Sequence, residues 1–90
     1  MKLRVKPQDK QNYTIVEAGT MYICFSYSTP IAMRWKDKIY IDNEYYDYSN
    51  TTGKHRNDFL RETLAETRKK IDRGIYIVVD DLQKFIDENM

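Results

Sequence analysis

Three observations predict an α+β fold. Apolar residues alternate with polar ones through most of residues 2–41, a stripe at helical spacing runs over residues 52–73, and a β-branched run precedes a second short helical segment near the end. Strands come first and most of the helix follows, so the reading is an antiparallel β-meander packed against one long helix, with a C-terminal strand and short helix. Ninety residues hold one core, which makes residues 1–90 a single domain.

The elements follow in order. Residues 2–6 alternate, with Leu3 and Val5 on one side, and Pro7 closes a short edge strand. Residues 8–12 are polar and read as a loop. Tyr13-Thr14-Ile15-Val16-Glu17-Ala18 is rich in strand formers, and Gly19-Thr20 supplies a turn. Residues 21–28 read as the next strand, with Ile23, Phe25 and Tyr27 toward the core and Tyr22, Cys24, Ser26 and Ser28 away from it. Pro30 has no N–H for a ladder and demands a bend or an edge. Ile31, Met33 and Trp35 then share a face, Lys36-Asp37-Lys38 turns the chain, and Ile39 and Ile41 return inward as a hairpin. Residues 42–50 are polar and aromatic without a period.

The helical stripe is Phe59, Leu60, Leu64, Thr67 and Ile71. It predicts one helix over residues 52–73, capped by Thr51 or Thr52 and ended by Gly74. Glu66 and Lys70 stand at i, i+4 spacing on its wet side. Residues 75–79 are β-branched and predict a buried strand. Asp80 opens the second helix, with Gln83 in a capping-box position and Leu82, Phe85 and Ile86 on its apolar side.

Fifteen basic residues against fourteen acidic ones argue against a wholesale nucleic-acid coat. The charges nevertheless come in blocks. Residues 1–36 carry six basic and two acidic side chains, residues 37–52 one and four, residues 53–73 seven and four, and residues 74–90 one and four. The basic cluster Arg68, Lys69, Lys70 and Arg73 reads as a solvated helix end. A single cysteine, Cys24, excludes a disulfide framework and a cysteine zinc site. No apolar run reaches membrane-spanning length, so a soluble cytoplasmic protein with no membrane partner is expected.

Residues 45–56 hold the features that point to function. Tyr45, Tyr46 and Tyr48 cluster where no strand period buries them all. Tyrosine beside cations suits both protein-binding hot spots and base stacking. The first turn of the predicted helix carries Lys54, His55 and Arg56, against the preference of a helix N-terminus for acids. A local rule broken in one place is where function is expected. Those six residues are the candidate binding set. Ser49, Thr51 and Thr52 read as capping and structural residues, and His55 packed on a tyrosine is the bland alternative for the histidine.

Catalysis has weak support. A Cys24–His55 pair needs a mid-strand thiol to be reactive, and a set of Ser49, His55 and Asp58 lacks a nucleophile-elbow pattern. No metal-ligand spacing stands out, and no catalytic residue, cofactor or metal is expected.

Ser26-Tyr27-Ser28-Thr29-Pro30-Ile31-Ala32, then Tyr40, then Tyr48-Ser49-Asn50-Thr51-Thr52-Gly53-Lys54-His55 leading into Phe59-Leu60, resembles a family of short uncharacterised proteins of bacteriophages and mobile elements. The shared pattern is S-Y-x-T-P-[IV]-A, a hairpin, and Y-S-x-T-T-x-[KR]-H before a helix. The resemblance covers residues 22–60. It implies a phage or mobile-element origin and a bacterial cytoplasmic setting, and carries no activity.

These readings converge on a small non-enzymatic protein that binds and modulates a host or defence protein, for example as an inhibitor of a nuclease or of a CRISPR effector. The alternative is a nucleic-acid-binding module in which the tyrosines stack on bases and Lys54, His55 and Arg56 meet phosphate. A hydrolase using Ser49 or His55 is the third. A homodimer through an open sheet edge, at residues 3–5 or 13–16, is also compatible with the sequence.

Overall fold

Three two-residue reversals fold the first half of the chain into a meander. The computed structural model describes residues 3–89. Strands β1 (Leu3–Pro7), β2 (Tyr13–Ala18), β3 (Met21–Ser26), β4 (Thr29–Trp35) and β5 (Lys38–Asp42) pair in sequence order and antiparallel. Gly19, Tyr27 and the pair Lys36-Asp37 take positive φ in the turns. Left-handed residues there match the twist of the flanking strands, which is why such short loops suffice.

Tyr27 and Ser28 therefore leave β3. The expectation that Tyr27 faces the core is corrected: it sits in the β3–β4 turn, more than half exposed. The register also slips between Cys24 and Phe25, which pair with Ala32 and Pro30. Ile31 is the extra residue of this bulge, and a bulge is where a strand tolerates a proline. The slip breaks the predicted alternation. Ile31 and Ala32 pack in one core cluster while Met33 packs in the other.

The single long helix is corrected as well. The chain forms α1 (Asn50–Leu60) and α2 (Leu64–Asp72). Arg61 adopts a left-handed conformation and ends α1 with an N–H bond to the Asn57 carbonyl. Thr63 then starts α2 with a full capping box, its hydroxyl accepting from the Glu66 N–H and the Glu66 carboxylate accepting from the Thr63 N–H. The apolar stripe runs through the break and hides it. Glu66 is thus spent on the cap, and Lys70 pairs instead with Glu62 at 2.7 Å. The Glu62 carboxylate also accepts from Thr67 Oγ1 and Tyr76 Oη, tying the break to the segment before the last strand. Burial alone would raise its pKa; the bonds from Lys70, Thr67 and Tyr76 outweigh that and hold it below the ordinary value.

Gly74 ends this region with positive φ, as predicted. β6 (Ile77–Val79) then runs parallel to β5 at the sheet's far edge, rather than among the other strands as residues 75–79 suggested. The helical crossover returns the chain in the direction of β5, which requires a parallel partner. α3 (Leu82–Asn89) follows, with Asp81 rather than Asp80 accepting from the Lys84 N–H.

Both faces of the sheet are covered in part. Tyr13, Cys24, Ala32 and Ile41 pack with Phe59 and Leu60 of α1 on one side. Met21, Ile23, Met33 and Tyr40 pack with Leu82 and Ile86 of α3 on the other. Among the described residues, no helix is long and apolar enough to cross a membrane.

Candidate functional site

The start of α1 lies against the end of β3, and this brings the two motif stretches together. Ser49 is extended (φ −153°, ψ 170°) and its hydroxyl accepts from the Thr52 N–H at 3.2 Å. Ser49 is the cap; Thr51 is exposed on the helix surface. Capping turns Thr52 and His55 inward, one turn apart on the same helix face.

A chain of hydroxyls results. Ser49 Oγ donates to Thr52 Oγ1 at 3.2 Å, Thr52 Oγ1 lies 2.9 Å from Ser26 Oγ, and Ser26 Oγ lies 2.8 Å from His55 Nδ1. His55 is only 2% exposed and stacks on Tyr13 with ring centroids 4.9 Å apart and planes 13° from parallel. Burial holds its pKa below the ordinary value; a hydrogen bond with the Gln11 backbone opposes this, Lys10 adds to it, and Asp58 opposes it. The ring is neutral at pH 7. Its serine is Ser26, from the first motif, and not Ser49.

Arg56 turns back across the start of the helix. At 1% exposed, it donates from Nη1 to the Tyr46 carbonyl at 2.6 Å and to Asp47 Oδ1 at 3.2 Å, and from Nη2 to Asn57 Oδ1 at 2.9 Å. Its guanidinium stands 5.9 Å from the Tyr46 ring centroid. A Cβ on Gly53 would meet Arg56 Nη2 at 3.4 Å, an ordinary contact, so the guanidinium lies directly against this turn of the helix. Asp47 accepts in turn from Arg68 of α2 at 3.1 Å.

The candidate binding set therefore separates. His55 and Arg56 are interior groups, 2% and 1% exposed. Within the basic first turn, Arg56 meets its partners inside the fold, while Lys54 is exposed. Tyr45 and Tyr46 are half-buried against the core. Tyr48 is 69% exposed, and Lys54 is exposed too. The last two open onto different hollows, Lys54 onto a shallow groove along α1 shared with Asp47, Arg56 and Asn57.

Tyr48 opens onto a better-formed cavity of about 230 Å³. Its floor is Ser26, Thr29, Ile31 and Thr52; its walls are Tyr27, Tyr45 and Tyr48. Tyr45 and Tyr48 pack with centroids 5.4 Å apart. Ser26, Tyr27, Thr29 and Ile31 were not among the candidate residues. The signal that finds them is the pairing of the two motifs, since every lining residue but Tyr45 belongs to one or the other.

Among the described residues no group of His, Cys, Asp or Glu is arranged to hold a metal ion. Cys24 is fully buried, and burial, with Asp58 adding to it, pushes its thiol pKa up, keeping it protonated.

The chain belongs to a family of unknown function, DUF8033, whose model matches residues 1–74. Both motif stretches and every lining residue of the aromatic cavity fall inside that match. No curated protein and no solved structure matches the chain significantly.

Proposed function

We propose that this protein is a small non-enzymatic binding protein that engages a host or defence protein through the aromatic cavity at the β3–β4 turn. The observation that carries this reading is the convergence of two motif stretches, far apart in the chain, on one hollow rimmed by exposed tyrosines. Clustered tyrosines around a pocket are the composition of a binding hot spot. Tyr27 adds a second hint. It holds a left-handed backbone (φ 59°) in a turn where glycine or asparagine is the easier choice, and its ring is kept at the rim. The motif resemblance supports a phage or mobile-element origin and action in the bacterial cytoplasm, an inhibitor of a defence nuclease or CRISPR effector being one concrete form.

The test is a pull-down from bacterial lysate with the wild-type chain and a Tyr27→Ala/Tyr48→Ala variant, each with and without nuclease. The expected result is a stoichiometric protein held by the wild type, lost by the variant and unaffected by nuclease. Capture that the variant retains in full overturns the assignment of this surface. Nuclease-sensitive capture that falls steeply with salt supports instead the nucleic-acid reading, for which Tyr48 and Lys54 remain exposed while His55 and Arg56 do not.

A further inference from the structure

We infer that the aromatic cavity seats one planar, uncharged ring carrying a hydrogen-bond donor, which in a protein partner is the indole of a tryptophan side chain. The inference rests on the partner-binding reading above and names what that partner inserts.

Size comes first. A dry cavity of about 150 Å³ holds a benzene ring. At about 230 Å³ this one has room for a bicyclic ring. Its walls suit that shape, because Tyr45 packs against the core while Tyr27 and Tyr48 stand exposed at the rim. Aromatic rings prefer tilted or offset neighbours, and the Tyr45–Tyr48 pair already sits at 49°.

The floor sets the polarity. A neutral imidazole has one donor and one acceptor nitrogen. Nδ1 lies 2.8 Å from Ser26 Oγ, and Thr52 Oγ1 lies 2.9 Å from the same oxygen. With Nδ1 as the acceptor nitrogen, Ser26 donates to it. Ser26 Oγ then accepts from Thr52, and Thr52 Oγ1 accepts from Ser49. Every hydroxyl proton along this chain is committed inward. What Ser26 and Thr52 turn toward the cavity is lone pairs. A ring with an N–H at its edge satisfies these acceptors at the cavity floor, whereas a ring without one leaves them unpaired.

Charge fits the same occupant. His55 and Arg56 are interior, so no cation faces the cavity to reward an anionic ligand.

The experiment is a titration of the full chain, followed by backbone amide resonances, with indole and with 1-methylindole, which keeps the ring and removes the donor. Indole is expected to cause saturable shifts at Ser26, Tyr27, Tyr48 and Thr52, and 1-methylindole to bind roughly tenfold more weakly or worse. Ser26→Ala is expected to erase the preference while leaving 1-methylindole binding in place; far-ultraviolet circular dichroism checks that the variant is folded. Equal binding of the two compounds overturns the inference, and so do shifts scattered away from the cavity or no shifts up to the solubility limit of indole. Partner capture lost by the tyrosine variant while indole stays inert rejects this inference alone. Indole binding with capture that ignores the tyrosines rejects the partner reading alone.

Discussion

The sequence offers His55 and Arg56 as binding residues, with His55 packed on a tyrosine as the alternative; in the fold both are interior and His55 stacks on Tyr13. Each has a short-range reason. Arg56 needs its planar fork to reach the Tyr46 carbonyl, Asp47 and Asn57 together, a task a lysine cannot do. His55 is a small polar ring that ends the hydroxyl chain and lies flat on Tyr13. Its burial has a consequence for pH. In the unfolded chain a histidine titrates near pH 6.5, and in the fold burial holds the pKa lower. Between the two values the unfolded chain binds the extra proton, so stability rises with pH there. The contribution is complete above about pH 6.5 and is lost as pH falls through the depressed folded value. Glu62, also depressed, loses its contribution only in the acid range below its ordinary value of 4.5. Urea unfolding at pH 7.0 and pH 5.5 is expected to give a lower midpoint at the lower pH, with the slope unchanged, and His55→Gln is expected to remove most of the difference. Midpoints that agree in the wild type would count against a buried neutral ring.

At the scale of elements, one carboxylate holds three segments. Asp42 ends β5, and its Oδ1 accepts from the Glu44 and Tyr45 N–H groups while its Oδ2 accepts from the Leu82 N–H at 2.9 Å. It shapes the loop that carries the tyrosines and, from forty residues away, caps α3. Losing a helix cap costs about 1 kcal/mol, and stranding a buried N–H costs 1 to 3 kcal/mol. Asp42→Ala is therefore expected to destabilise the chain by roughly 3 kcal/mol, with amide exchange in α3 accelerating ahead of the sheet. A loss under about 1 kcal/mol would mean that Asp81, which also bonds into the first turn of α3, suffices as its cap. None of this is visible in sequence, where Asp42 opens a stretch without period. Local chemistry was legible: the Lys36-Asp37 reversal and the C′ glycine at Gly74 appear as read. What failed depends on competition. The α1–α2 break needed the Thr63-Glu66 cap to be weighed against a continuous apolar stripe, and the faces of β4 needed the bulge that only pairing with β3 creates. For the site, the cap was read as Thr51 or Thr52 and is Ser49, because the helix starts two residues earlier, and the Ser26–His55 contact spans twenty-nine residues with no local pattern to announce it.

At the scale of the molecule, the uneven covering of the sheet decides where self-association can occur. α3 covers the centre of its face and leaves the β1 end bare, where Leu3 and Val5 flank the half-buried Val16 and Val5 is 64% exposed. β1 pairs on one side only, with β2, so its outer edge offers free ladder groups. Two copies meeting antiparallel in the register centred on Val5 would set Val5 against its twin and Leu3 against Pro7, extending that bare apolar strip. The same register sets Arg4 against Lys6, and Pro7 contributes no N–H to the ladder. Apolar gain and like-charge repulsion thus oppose each other, and only the second is screened by salt. The expected behaviour is a weak dimer that strengthens as salt is added, the reverse of an assembly held by ion pairs. Sedimentation velocity over a range of protein concentrations, at low and high salt, reads this directly. The weight-average coefficient should climb with concentration, more steeply at high salt, and Val5→Lys should hold it at the monomer value. A coefficient independent of concentration at both salts removes the dimer, and association that weakens with salt places it on some other, charged surface.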